Sequence, residues 1–133
     1  MFLDGGGIMD ELVKGLSASA LRQRVIAHNL ANFNTPGFKR SAVSFEEQLA
    51  RARQSGGDGL KRTHPAHLNG ALGEPVAKVK QDRTTTRRPD GNNVDLETEM
   101  IDLVINQLRY NAYVQQVNSR FNRWRYVINE GRR

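Results

Sequence analysis

The chain has 133 residues, 20 Lys and Arg against 14 Asp and Glu, a net charge of +6 and no cysteine. That length holds at most one compact domain, and the lack of cysteine excludes a disulfide scaffold, a thiolate zinc site and a thiol nucleophile. No run of about 18 apolar residues is present to cross a bilayer, and the opening Met1-Phe2-Leu3-Asp4-Gly5-Gly6-Gly7 lacks the basic and apolar stretches of a cleaved secretory signal.

The first periodic segment reads Met9, Leu12, Leu16, Ser19, Gln23, Ile26, Leu30 and Phe33, spaced alternately three and four residues apart. This spacing predicts a helix over 8–32 whose seam packs lengthwise against a partner. Ala18, Leu21 and Val25 lie off that seam and are candidates for contact with something else. The helix runs into Asn29-Leu30-Ala31-Asn32-Phe33-Asn34-Thr35-Pro36-Gly37. There Asn tolerates left-handed backbone, Pro36 blocks continuation and Pro-Gly suits a tight turn, so 33–43 is predicted as a turn. Ser44-Phe45-Glu46-Glu47 matches a capping box and predicts a short helix over 44–53, with Phe45 and Leu49 on one side. Residues 54–93 hold six Gly and three Pro and read as a long mobile loop. Within it, Pro75-Val76-Ala77-Lys78-Val79-Lys80 is the one candidate strand.

The clearest signal comes last. Leu96, Met100, Leu103, Gln107, Tyr110, Val114, Val117, Phe121, Trp124 and Ile128 alternate four and three apart, with Gln107 the single polar member. This predicts a heptad helix over 96–129, opened by cap side chains among Asn92, Asn93 and Asp95 and closed near Gly131. Such a helix spans about 50 Å. The predicted fold is therefore all-α: one elongated domain over 1–133 built on an antiparallel pair of long terminal helices. A second stripe of Ile101, Ile105, Leu108 and Ala112 needs covering by the short helix or by other subunits.

Catalytic signals are sparse. His64 and His67 stand close together near Asp58, but with no further ligand in metal-binding spacing they read as loop residues. Gly5-Gly6-Gly7 lacks the Lys-Ser/Thr ending of a phosphate loop, and the acids read as caps and turn formers rather than an acid/base pair. No enzyme activity, catalytic residue, cofactor or metal is expected. Arg outnumbers Lys fifteen to five, which suits protein carboxylates as well as phosphates. Phe121 and Trp124 belong to the seam rather than to a base-stacking platform, so nucleic acid is not the expected partner. The alternative is a basic helical module that binds nucleic acid or serves as an adaptor.

The stretch from Arg22 to Lys39, Arg-Gln-Arg-Val-Ile-Ala-His-Asn-Leu-Ala-Asn-Phe-Asn-Thr-Pro-Gly-Phe-Lys, resembles the N-terminal signature of the bacterial flagellar rod and hook proteins. Arg62-Thr-His-Pro-Ala-His-Leu68, Asp90-Gly-Asn-Asn-Val-Asp-Leu-Glu97 and Asn106-Gln-Leu-Arg-Tyr110 resemble the short proximal rod members of that family. The resemblance implies a structural subunit that polymerises helically through its terminal helices into the drive shaft of the basal body. It further implies synthesis in the cytoplasm and export through the flagellar type III apparatus without a cleaved signal, to a rod crossing the periplasm or cell wall. The partners it implies are further copies and other proximal rod subunits, the rod-ring adaptor FliE and the membrane-ring protein FliF, with no direct membrane insertion. On this reading Asn29, Asn32, Asn34, Thr35, Pro36, Gly37 and Phe38 form the turn that sets how the chain leaves the inner tube. Met9, Leu12, Leu16, Ile26 and Leu30 pair with the C-terminal seam, and Leu21, Val25, Ile101, Ile105 and Leu108 contact neighbours.

Overall fold

The computed structural model describes residues 5–55 and 76–129. Helix α1 spans Gly5–Ala31, strand β1 Ser41–Ser44, helix α2 Glu46–Ser55, strand β2 Lys78–Gln81 and helix α3 Leu96–Ile128. The mostly helical class and the two long terminal helices agree with the sequence. The histidines His64 and His67 and the 62–68 motif lie outside the described residues.

Helices α1 and α3 run antiparallel, since contacts pair falling numbers on one with rising numbers on the other. The Asn29 amide reaches Glu99, Asn106 reaches Ser19 and Gln23, and Gly15 faces Tyr113. At that last crossing a Cβ on Gly15 would sit 2.8 Å from the Tyr113 ring, so glycine is what lets the helices approach there. The cap of α3 is Asp95, whose carboxylate accepts from the Glu97 and Thr98 amides. Its neighbours Asn92 and Asn93, candidate caps from the sequence, are occupied elsewhere.

The seam of α3 departs from the predicted one. Glu99 and Asn106 are the buried residues of the helix, with Leu103, Tyr110, Tyr113 and Val117 half-buried along the same side. Leu96, Met100, Phe121, Trp124 and Ile128 are exposed, as is Gln107. Two causes act. In the first half of α3, hydrogen-bonded polar side chains take the inner positions, which a hydrophobicity template assigns to outer apolar ones, although Asn106 bonds through its Nδ2 alone and its buried Oδ1 has no partner. Toward the end, the register carries Gly7 to the level of Phe121, and around Gly7 there is nothing within 4 Å of an added Cβ. On α1, Ile26 and Ser19 are buried, Met9, Leu12, Leu16 and Leu30 are half-buried, and Ala18, off the predicted seam, is buried as well.

Residues 33–45 contain a strand that the sequence reading left within a turn. β1 pairs antiparallel with β2, Ser41 opposite Gln81 and Ser44 opposite Lys78. The predicted capping box at Ser44 does not form: Ser44 ends β1, and α2 starts two residues later with the Leu49 amide bonded to the Phe45 carbonyl. Phe45 is buried, so the aromatic plug rather than the serine fixes this helix start. Of the predicted 54–93 loop, the described part 76–93 holds β2 and a tightly bonded turn, consistent with the candidate strand beginning at Pro75.

Candidate functional site

The last turn of α1 is closed by asparagine. The Asn32 amide bonds to the His28 and Asn29 carbonyls, and Asn32 Nδ2 donates back to His28 O at 2.8 Å, satisfying carbonyls left open at a helix end. The backbone then turns through Thr35-Pro36-Gly37, with Gly37 at φ 71°, a conformation that favours glycine. Asn29 points the other way and is wholly buried. Its Nδ2 donates to Ser41 O at 2.8 Å and its Oδ1 accepts from Ser41 N at 3.0 Å. One amide thus occupies β1's free edge as a neighbouring strand would, which protects a two-stranded sheet too small to stand alone.

The segment before α3 threads into this turn. Asn92 Nδ2 lies 3.1, 3.0 and 2.9 Å from the carbonyl oxygens of Asn32, Phe33 and Thr35, while Asn92 Oδ1 accepts from Val94 N at 2.7 Å. Gly37 N donates to Asp90 O at 2.9 Å, and Gly91, at φ 81°, would bring a Cβ within 3.7 Å of Gly37 Cα. The Arg88 guanidinium stacks 5.0 Å from the Phe33 ring centroid and donates to Phe33 O at 3.0 Å. Asn93 ties in the strand exit: Oδ1 accepts from Arg40 N at 2.6 Å, and Nδ2 donates to Asp82 O at 3.0 Å and Thr85 Oγ1 at 2.9 Å. The hydroxyl of Thr85, with the Thr84 amide and hydroxyl, holds the Asp82 carboxyl well below the usual carboxylate range.

Beneath this knot lies an ion cluster. The Glu99 side chain is 0% exposed, accepts from Asn29 Nδ2 at 3.1 Å, and forms a short ion pair with Arg40 Nε. Arg40 also bonds Asp102 Oδ2 at 2.7 Å. Burial disfavours the Arg40 charge, but the hydrogen bond and charge of Glu99, then the charge of Asp102, outweigh it and raise the guanidinium above its ordinary value. A buried acid in a helix seam is tolerated because its opposite charge is delivered by the chain just after the turn.

Residues 9–39 match the family model described as flagella basal body rod protein. The flagellar basal body rod protein FlgB of Bacillus subtilis (strain 168) is 32% identical over 126 residues, 95% of this chain and 96% of that protein. The chain belongs to the FlgB family of flagellar basal body rod proteins. The FlgB of Borrelia hermsii is 40% identical over 105 residues, covering 74% and 78% of the two chains, and that of Escherichia coli (strain K12) 28% over 124 residues, covering 89% and 90%. All three are named as rod proteins, a structural designation that carries no enzyme activity. Among the described residues no group of three or more His, Asp and Glu is placed to hold a metal, and no helix is long and apolar enough to cross a membrane.

In this FlgB-family chain the residues read from the sequence as the family turn, Asn29 apart, follow the end of α1 at Ala31. Asn29, Asn32, Thr35 and Gly37 all bond within the knot, and Phe38 packs its ring 5.4 Å from His28. Asn34 and Pro36 are exposed. Sequence reasoning missed Arg40, Glu99, Arg22 and the bonding of Asn92 and Asn93. Glu99 reads from the sequence as an acid of the first turn of α3, favourable beside the helix N-terminus, and that reading hid its burial. Arg22 carried none: it donates to Glu46 at 2.7 and 2.8 Å and to Val43 O at 3.3 Å, clamping α2 to α1. Burial opposes the Glu46 charge, but the Arg22 hydrogen bond prevails and lowers its pKa.

Of the candidate contact residues, Ile101, Ile105 and Leu108 are exposed, while Leu21 and Val25 are half-buried. Val25 and Ile105 line a cavity of about 220 Å³ beside β1, together with Ile26 and Arg40. Leu21 and Phe45 line another of about 300 Å³ with Val76.

Proposed function

We propose that this chain is a structural subunit of the proximal rod of the flagellar basal body, polymerising helically through α1 and α3. The observation that carries the reading is the apolar surface that α3 leaves uncovered. The first half of α3 buries Glu99 and Asn106 against α1 and leaves Met100, Ile101, Val104, Ile105 and Leu108 in solvent, an apolar area that a self-sufficient monomer does not leave open. Ile101, Ile105 and Leu108, with Leu21 and Val25, are the residues that contact neighbouring subunits. Met9, Leu12, Leu16, Ile26 and Leu30 line the α1 side of the helix pair, and Asn29 to Phe38 fix how the chain leaves the tube. Residues lost from the predicted α3 seam, Phe121 and Trp124 above all, act between subunits rather than within one.

The family resemblance supports export in unfolded form through the flagellar type III apparatus, a place next to FliE and FliF, and a rod crossing the periplasm or cell wall. The test is replacement of the chromosomal gene by an Ile101→Asp, Leu108→Asp variant in a motile FlgB-family host. Export persists, rods are absent from electron micrographs of basal bodies, and the cells do not swim. Normal motility of that variant refutes the reading.

A further inference from the structure

The small sheet is closed along one edge. Asn29 occupies Ser41 N and O, and Arg22 reaches Val43 O at 3.3 Å, so these two residues of β1 turn their main chain toward α1. Direction alternates along an antiparallel strand, and the residues of β1 that bond to β2 are therefore Ala42 and Ser44, opposite Lys80 and Lys78. Asp82 N, donating to Arg40 O at 2.8 Å, continues that row. The N–H and C=O of Val79 and Gln81 consequently point out of the sheet, and among the described residues nothing bonds to them.

The side chains along this edge differ by face. On the outer face Lys78 and Lys80 are exposed and, among the described residues, pair with no carboxylate. On the inner face Val79 lies opposite the buried Val43 yet is 51% exposed, and Ala77 leads into the cavity of about 300 Å³ lined by Val13, Leu21, Phe45 and Val76. An extended segment laid beside β2 meets main-chain partners at Val79 and Gln81, apolar ground on one face and positive charge on the other. The β2 strand of a second copy is a poor occupant, because antiparallel pairing of two such edges sets Lys78 of one copy opposite Lys80 of the other.

We propose that the open edge of β2 takes an extended segment of a different protein, with alternating acidic and apolar side chains, by strand addition. The acids pair with Lys78 and Lys80, and the apolar residues cover Val79 and the mouth of the cavity. The lysines that keep copies from joining edge to edge thus select what does join. The contact uses main-chain groups of β2 rather than helix faces and does not depend on the rod reading.

The test titrates the isotope-labelled full chain with a short acetylated peptide alternating valine and glutamate, followed by amide resonances. The Val79 and Gln81 amides are expected to shift, and their hydrogen exchange to slow by about tenfold at saturation. Val79→Pro removes an N–H that makes no bond to β1, and should weaken binding by about tenfold with the helical signal unchanged. Lys78→Glu with Lys80→Glu should move the preference to a peptide alternating valine and lysine. No shift at millimolar peptide, shifts confined to other amides, or equal binding of the valine–lysine peptide by the unaltered chain overturns the proposal. Should Val79→Pro fail to fold, a valine–glutamate peptide with N-methylated main chain makes the same test from the other side, and undiminished binding by it also overturns the proposal. None of these outcomes bears on the rod reading, which the Ile101→Asp, Leu108→Asp variant tests separately.

Discussion

The two ends of the α1/α3 pair are built on different physics. At the junction end, where α1 stops and α3 starts, the buried side chains are mainly polar: Asn29, Asn92, Asn93 and Glu99, joined by Val43 and Val94. At the far end, Phe121, Trp124 and Ile128 stand exposed beside a glycine-led helix start. Hydrogen bonds are directional and an unpaired buried group is costly, so the junction accepts one geometry only. Apolar contact is non-directional and scales with area, so the far end can be finished by whatever surface covers it. A subunit that has to hold one exit angle while adapting to neighbours gains from putting specificity at one end and adhesion at the other.

The largest expected effect breaks the junction. Arg40→Ala leaves the Glu99 carboxylate buried without its cation and should destabilise the chain by about 3 kcal/mol in urea unfolding. Adding Glu99→Gln should recover much of that loss, because the glutamine still accepts from Asn29 and carries no charge. If the double variant is no more stable than Arg40→Ala, the charge is not what the junction has to neutralise. Asn92→Ala comes next, at about 2 kcal/mol, since the Asn32, Phe33 and Thr35 carbonyls lose their shared donor. A cost near zero would show those groups to be hydrated instead.

Acid should weaken the same end. Glu46, Asp82 and Asp95 all have folded pKa values below their ordinary 4.5, 3.8 and 3.8. The causes differ: at Glu46 burial opposes the charge but the Arg22 bond outweighs it, at Asp82 the Thr85 hydroxyl leads, and at Asp95 the Thr98 amide. A carboxylate with a depressed folded value contributes its full stabilisation above the unfolded value and loses it as pH falls through the folded one. Thermal midpoints should therefore be flat from about pH 7 to 5 and fall between about pH 4 and 2. A midpoint that rises on acidification contradicts the assignment.

The smallest effect on the isolated chain sharpens the contrast. Burial throughout the seam, as its heptad spacing alone suggests, would make Trp124→Ala cost about 3–5 kcal/mol. With Trp124 44% exposed, the expected loss is about 1 kcal/mol, while rod assembly in cells suffers severely. A loss above about 3 kcal/mol in the isolated chain would mean that this end is already covered.

Much of the fold was legible because long apolar periods report helices whatever they pack against. Heptad spacing placed α1 and α3 to within a few residues, and Pro36-Gly37 marked the turn. That Glu99 and Asn106 take the inner positions of the first half of α3, in place of Met100 and Gln107, was not legible. Pattern reading ranks Met100 above Glu99 as a core residue, and only the presence of Arg40 and Asn29 at bonding distance reverses that order. β1 was hidden for a related reason: four residues, Ser41 to Ser44, carry little periodicity, and the edge is closed by a side chain 12 positions earlier. The Ser44 capping box failed because β1 claimed the serine before α2 could.

By itself the sequence determined the helical class, the length and ends of the two main helices, the turn at Pro36-Gly37 and the family, because these depend on local spacing and on residues read in order. The tertiary structure decided that the turn and the Asp90–Asn93 segment form one knot, that Glu99 is buried with Arg40, and that Asn106 is buried against Ser19 and Gln23. Each of these depends on groups some 50 to 90 residues apart meeting at hydrogen-bond distance, and no period along the chain encodes such a meeting.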